Sequence, residues 1–214
     1  MQTWAIVVAA GGGARFGAAK QFERLGEESV LDRAVRVARA SCDGVVVVLP
    51  AGCEWDAPGA VRTATGGATR SDSVRAGLAC IPEAADVVVV HDAARPLASA
   101  DLFARVVAAV RAGADGAVPG LPVSDTVKRV RDDRVVETVA RDDLVAVQTP
   151  QAFRRSALEA AHAGAGVGTD DAALVEAAGG TVAVVPGETR NFKVTLADDL
   201  EIARALIKSE GAHA

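Results

Sequence analysis

Tyrosine is absent from this chain, and aromatic residues of every kind make up only 3% of it. A core must therefore be built from valine, alanine and leucine, and apolar types do reach 50% of the 214 residues. That balance suits a buried parallel sheet covered by small-residue helices. An excess of basic charge is also missing. The net charge is −5, so the chain lacks the cationic field that nucleic-acid binding requires. Cysteine is scarce, and Cys42, Cys53 and Cys80 are an odd set without C-x-x-C spacing. They read as reduced thiols, which implies a cytoplasmic protein. No apolar run approaches the length of a membrane span. The N-terminal apolar run lacks the basic segment of a signal peptide. Glycine, alanine and valine are scattered rather than periodic, which excludes a solenoid. The length suits one domain covering residues 1–214.

What the chain has is alternation. "WAIVVAA", "GVVVVLP" and "ADVVVVHD" are short, β-branched and continuously apolar, the pattern of strands buried on both faces. "VLDRAVRVARA" and "RSDSVRAGLACI" between them carry apolar residues at helical spacing. "SADLFARVVAAVRAG" is the clearest helix, with Ser99 as cap and Gly113 at its end. Later, "ALEAAHAGA" and "TDDAALVEAAG" read as helices, the second capped by Thr169 or Asp170, and "TVAVVPG" as a strand. "TLADDLEIARALI" reads as a final helix with a Thr195/Asp198 capping box. The expected fold is α/β: a Rossmann-like, mostly parallel sheet flanked by helices, with right-handed crossovers. Residues 122–147 interrupt the rhythm. There "DTVKRV", "RDDR" and "VVETVA" predict a β-hairpin with a charged tip, an arm suited to gripping a second subunit.

Ligands in such sheets bind beyond the carboxyl ends of the strands, and two motifs fall there. In "AAGGGARFGAAKQ", residues 9–21, Phe16 replaces the third glycine of the dinucleotide fingerprint. Ala18 and Ala19 replace the lysine and hydroxyl of the P-loop. What remains is a glycine turn carrying Arg15 and Lys20, suited to a polyphosphate rather than to a plain solvated turn. In "HDAARP", residues 91–96, Asp92 is placed to hold Mg²⁺ together with phosphate oxygens, and Arg95 to pair with phosphate or a neighbouring acid. In isolation the same residues would read as a structural Asp–Arg turn.

"TGGATRSDSV" is a second glycine turn entering a helix. Its Gly66 and Gly67 permit close approach to a ring or ribose, and Ser73 can bond a base edge. An ordinary cap by Ser71 or Asp72 explains it nearly as well. "QTP", residues 148–150, and "NFKVT", residues 191–195, put polar groups at element edges, where Lys193 is either a snorkelling lysine or a phosphate ligand.

Taken in order, "AAGGGARFG..KQ", "GGATRSDSV", "HDAARP", "PVSDTVK", "TPQAF" and "NFKVT" make the chain resemble the 2-C-methyl-D-erythritol 4-phosphate cytidylyltransferases over nearly its whole length. The first motif alone is shared by many sugar-phosphate nucleotidyltransferases; the ordered set is specific. The resemblance implies that Arg15 and Lys20 stabilise charge at the α-phosphate of CTP. It implies a nucleotide pocket lined by Ala10, Gly11, Gly13, Gly67 and Ser73, with Ala93 beside the ribose. Asp92 would serve Mg²⁺ and substrate. Arg95, Thr126, Arg141, Thr149 and Lys193 would hold the polyol phosphate, with Arg141 and Lys193 setting the attacking group. It also implies a homodimer in which the arm is exchanged, so that Arg141 acts in the partner's site. Ala68 departs from the family, where aspartate can follow the two glycines.

The chemistry this implies needs no Ser/His/Asp set. A phosphate monoester is largely dianionic at neutral pH, its second pKa lying near ~6, and attacks phosphorus without a general base. Alignment and charge neutralisation are what the protein must supply. Two other readings stay open: a ribitol 5-phosphate cytidylyltransferase, and a nucleotide-binding regulatory protein without catalysis. A dehydrogenase is excluded by the failed fingerprint.

Overall fold

Valine runs build the centre of the fold. In a computed structural model, whose described residues are 1–11, 20–56, 59, 61–164 and 168–211, β1 (Gln2–Val8) is central. It pairs in parallel with β4 (Gly44–Leu49) on one side and β6 (Ala85–Asp92) on the other. β5 (Arg62–Thr65) extends the sheet beyond β4, also in parallel. On the far side of β6 lies β11 (Gln151–Arg154), antiparallel to its neighbours, and then β7 (Gly116–Pro122). β12 (Val182–Pro186) runs parallel to β7 along its outer edge. β10 (Val145–Val147) pairs with the end of β7, antiparallel. The mostly parallel sheet is as expected; the antiparallel insertion of β11 is not evident in the sequence.

Both faces are covered, which is why these strands need no alternation. Ala5, Val7, Val45, Val47, Val87 and Val89 face one layer, where α1 (Val30–Ser41) and α3 (Ala100–Arg111) contribute Leu31, Val35, Leu102 and Phe103. Ile6, Val46, Val48, Val88 and Val90 face the other. There α2 (Arg70–Leu78), α4 (Arg155–His162) and α5 (Asp171–Ala177) bring Val74, Leu158 and Val175. α6 (Ala197–Gly211) packs Leu200 and Ala203 against Leu25 and Val30, beside the short hairpin β2 (Arg24–Leu25) and β3 (Glu28–Ser29).

Caps agree with the sequence in part. Ser99 caps α3, its side chain accepting from Leu102 N, and Gly113 follows with φ +125°. Asp170 caps α5. The cap of α2 is Thr69, not Ser71 or Asp72; Asp72 instead closes a capping box with it. At α6, Asp199 rather than Asp198 accepts from the backbone of Thr195 and Leu196.

The arm is β8 (Val127–Arg131) and β9 (Arg134–Val139), joined by Asp132 and Asp133 at φ +48° and +57°. Positive φ at both positions is the signature of the tightest hairpin turns. The protrusion is shorter than residues 122–147, because β10 rejoins the sheet at Val145.

Candidate active site

Strand order decides where the site lies. The chain leaves β1 towards β4 and β5, then crosses back through α2 to β6 on the opposite side of β1. Loops after β1 and β6 therefore diverge at a topological switch point, where α/β sheets bind ligands. Register sets the loops side by side: Val8 pairs with Asp92 and with Val48, and Leu49 with Thr65. Backbone bonds continue the alignment, from Ala93 N to Val8 O at 3.0 Å and from Gly66 N to Leu49 O at 2.8 Å.

A cavity of about 400 Å³ opens at this edge, lined among others by Ala10, Gly11, Lys20, Gly67, Ser73 and Ala93. Buried Gln21 braces its floor, donating from Nε2 to Ala9 O at 3.0 Å and Gly11 O at 3.5 Å. A second cavity of about 240 Å³ adjoins it, lined by Arg95, Gln148, Thr149 and Gln151, and the two share Arg70, Asp92 and Lys193. A larger groove, about 880 Å³, lies at the opposite, amino-terminal end of the strands. It runs between the end of α1 and α3, beside Thr3, Cys42, Asp43, Ala104 and Arg111. It brings together none of the motif residues.

Glycine's part in the second loop is different from the one expected. A Cβ on Gly66 would stand 2.2 Å from Ala10 Cβ and 2.9 Å from Ser73 Oγ, so its absence lets two loops of the protein touch. Gly67 lines the cavity itself. Ser73 Oγ is engaged with its own loop, accepting from Gly67 N at 3.3 Å and donating to Thr69 O at 3.1 Å.

Asp92 is the electrostatic centre. Lys193 Nζ donates to its Oδ2 at 2.6 Å, and Arg70 Nε to its Oδ1 at 3.3 Å. Burial alone would raise its pKa, but the two cations hold it well below the usual carboxylate range. Its backbone N–H donates to Thr149 Oγ1 at 3.0 Å. Arg70 also donates from Nη1 to the fully buried Asp171 at 2.6 Å. Burial opposes the guanidinium charge, yet Asp171 and Asp92 together push its pKa up. Burial lowers that of Arg95, with Asp92 opposing.

The loop bearing Lys193 is fastened to the Thr149 segment by amides. Gln148 Nε2 donates to Glu188 O at 2.9 Å and Asn191 O at 3.2 Å. Its Oε1 accepts from Glu188 N and from Asn191 Nδ2. Asn191 Nδ2 also donates to Thr149 O at 2.9 Å, and Arg95 Nη1 to Asn191 O at 2.7 Å. Arg70 Nη2, Arg95 Nε, Gln151 Oε1 and Asn191 Oδ1 are buried without hydrogen-bond partners. Polar groups left so are costly, and these four are half of the eight such atoms among the described residues.

The structure thus gathers Ala10, Gly11, Lys20, Gly67, Ser73, Asp92, Ala93, Arg95, Thr149 and Lys193 at one edge. Gly13 and Arg15 lie outside the described residues. Thr126 and Arg141 are exposed and line neither cavity; Arg141 donates to Ser124 O instead. Among the described residues, no group of three or more His, Cys, Asp or Glu side chains could hold a metal ion, which leaves Asp92 as the carboxylate at the junction. Sequence reading missed Arg70 and Asp171. Arg70 stands between two capping residues, where a surface helix start explains everything, and no spacing ties it to a residue 101 positions away.

The family model "IspD: 2-C-methyl-D-erythritol 4-phosphate cytidylyltransferase" matches residues 3–209. The bifunctional enzyme IspD/IspF of Anaeromyxobacter dehalogenans is 50% identical over 222 residues, covering 95% of this chain and 56% of the relative. The 2-C-methyl-D-erythritol 4-phosphate cytidylyltransferase of Rhodococcus jostii is 46% identical, covering 98% and 96%. The chain therefore spans just over half the length of the bifunctional relative and nearly all of the other. The crystal structure of the 2-C-methyl-D-erythritol 4-phosphate cytidylyltransferase from Thermus thermophilus superposes with a TM-score of 0.86 at 36% identity, over 97% of this chain and 100% of that one. With a fold, an ordered set of motifs and a match across almost its full length in common, this chain belongs to the 2-C-methyl-D-erythritol 4-phosphate cytidylyltransferase family.

Proposed function

We propose that this chain transfers the cytidylyl group of CTP to 2-C-methyl-D-erythritol 4-phosphate in non-mevalonate isoprenoid synthesis, forming 4-diphosphocytidyl-2-C-methyl-D-erythritol and pyrophosphate. The observation that carries the reading is the meeting of two cavities at Asp92 and Lys193, the larger suited to a nucleotide and the smaller to a polyol phosphate. A phosphate oxygen of the polyol attacks the α-phosphorus as the bond to the β-phosphate bridging oxygen breaks. The electron pair leaves with pyrophosphate, and no proton need be moved. Lys20, at the wall of the larger cavity, neutralises charge that grows on the triphosphate, as does Arg15. Lys193 holds the attacking phosphate, and Thr149 and Arg95 fix the polyol end.

A divalent cation such as Mg²⁺ takes one or two carboxylates together with phosphate oxygens. Both oxygens of Asp92 already bond cations, Lys193 at 2.6 Å and Arg70 at 3.3 Å, so here the ion would be held chiefly by the triphosphate oxygens and would neutralise their charge. We read the molecule as a homodimer whose arms cross, bringing Thr126 and Arg141 to the partner's site. Val130, Val135 and Val136 on the arm are 57%, 60% and 51% exposed, apolar surface that a second subunit would cover. The thiols of Cys42, Cys53 and Cys80 are free, in keeping with a cytoplasmic setting. No helix among the described residues is long and apolar enough to cross a membrane.

The test is pyrophosphate release with CTP and Mg²⁺, comparing methylerythritol 4-phosphate with ribitol 5-phosphate at equal concentration. Strong preference for the first is expected. Preference for ribitol 5-phosphate would overturn the substrate, and no release with either would overturn catalysis.

A further inference from the structure

A line of bonded polar side chains runs from the helical layer to the junction of the two cavities. His162, on α4, lies 2.9 Å from Asp171 Oδ1 through its Nε2. Asp171 Oδ2 accepts from Arg70 Nη1 at 2.6 Å, Arg70 Nε reaches Asp92 Oδ1 at 3.3 Å, and Lys193 closes on Asp92 Oδ2 at 2.6 Å. Three features fix Arg70 in the middle. Its backbone is the first residue of α2, behind the Thr69–Asp72 capping box. Its far carboxylate, Asp171, has no exposure and is itself held by α4. Its planar fork reaches two carboxylates at once from different nitrogens, which a lysine ammonium on a flexible stem does not reproduce.

We propose that Arg70 is a positioning residue for phosphoryl transfer: it holds one oxygen of Asp92, so that the Lys193 ammonium on the other oxygen stands at the junction of the two cavities. This rests on the reading of Lys193 as the ligand of the attacking phosphate. Among the described residues, Lys193 and Arg70 are the cations whose bonds to Asp92 fix its carboxylate. Without Arg70 the carboxylate is no longer anchored through Oδ1 and is free to turn, and the ammonium bonded to Oδ2 leaves the junction with it. His91 and Arg95 are the other titratable groups acting on Asp92 or acted on by it, and neither bonds its carboxylate.

The experiment compares the wild type with Arg70→Gln and Arg70→Lys in the full chain. It measures kcat, KM for the polyol phosphate and CTP affinity by calorimetry. A crystal structure of each variant gives a reading independent of turnover, the position of the Lys193 ammonium relative to the two cavities. Because Arg70→Gln leaves the buried Asp171 without its guanidinium, the double variant Arg70→Gln/Asp171→Asn is included to keep a folded neutral form. We expect kcat to fall about 10²-fold in the neutral variants, as for a small misplacement of reacting groups. KM for the polyol phosphate should rise, CTP affinity should stay close to wild type, and Arg70→Lys should rescue only partly. In both neutral variants the Lys193 ammonium should be displaced from the junction of the cavities. Folded variants with wild-type kcat and KM, or with the Lys193 ammonium unmoved, would overturn the inference. A wild type inactive with both polyol phosphates would remove the proposed function, while the variant structures would still decide whether Arg70 positions Asp92 and Lys193.

Discussion

Lys20 and His91 show how differently two polar residues at one sheet edge are used. Lys20 lines the nucleotide-sized cavity, directly after the glycine turn. Its replacement by alanine should lower kcat by about 10²–10³-fold, the cost of losing one electrostatic donor to a transition state. Far-UV circular dichroism should be unchanged, and near-normal turnover would refute the mechanism. His91 has no exposure, and its Nδ1 and Nε2 lie 3.2 Å from Thr149 Oγ1 and 3.1 Å from Arg95 O. A carbonyl can only accept, so Nε2 carries the proton and Nδ1 accepts from the threonine hydroxyl. Burial pushes the His91 pKa down to about 4, against an ordinary value of 6.5. Between those values the unfolded chain binds a proton that the folded one refuses. Stability is therefore complete above pH 6.5 and falls as pH drops towards 4, by about 3 kcal/mol. Urea denaturation across that range should show the slope, and His91→Gln should flatten it. Asp92 acts in the same direction but lower. Its depressed pKa costs stability only as pH falls below the ordinary 3.8, so the two effects separate.

Elements are legible in proportion to how much of their pattern is local. The continuous valine runs, the helical stripe of α3 and the Asp-Asp turn of the arm are each explained by residues within one window. The cap of α2 differs from the expected one because T-R-S-D offers several capping side chains in a row, and only the capping-box geometry selects Thr69. β11 gives no signal. Four residues are too few for a period, and its antiparallel place between β6 and β7 depends on partners distant in sequence. It nevertheless sets Gln148 and Thr149, which lie just before it across Pro150, against Asp92 and the Lys193 loop. The arm is the element with the sharpest functional consequence. Arg141→Ala should raise KM for the polyol phosphate about tenfold or more while leaving CTP affinity within about threefold, as loss of one charged contact to one ligand does. Equal loss for both ligands would place Arg141 elsewhere.

At the scale of the whole molecule, exposed apolar residues on the arm and the absence of Arg141 from the lining of either cavity make one shared prediction. If the arms cross in a homodimer as proposed, Lys193→Met and Arg141→Ala proteins, assayed alone at polyol phosphate well below KM, should each keep about a tenth of wild-type activity or less. Mixed and allowed to exchange subunits, they should recover about a quarter of wild-type activity, because half the dimers are mixed and one of their two sites is intact. No recovery under demonstrated exchange would mean that each chain completes its own site.

The sequence by itself determined the α/β class, the layering and the edge of the sheet at which the motif residues gather, since β-branched runs, helical periods and glycine turns are local consequences of side-chain shape. It also marked Asp92, Lys193 and Lys20, because each stands in a short motif. Only the tertiary structure decided what Asp92 is bonded to. Arg70 comes from a helix start 22 residues before it and Lys193 from a loop 101 residues after it. Charges converge there because burying a carboxylate is tolerable only beside cations, and which cations the fold supplies depends on strand order and register, not on neighbours in the chain.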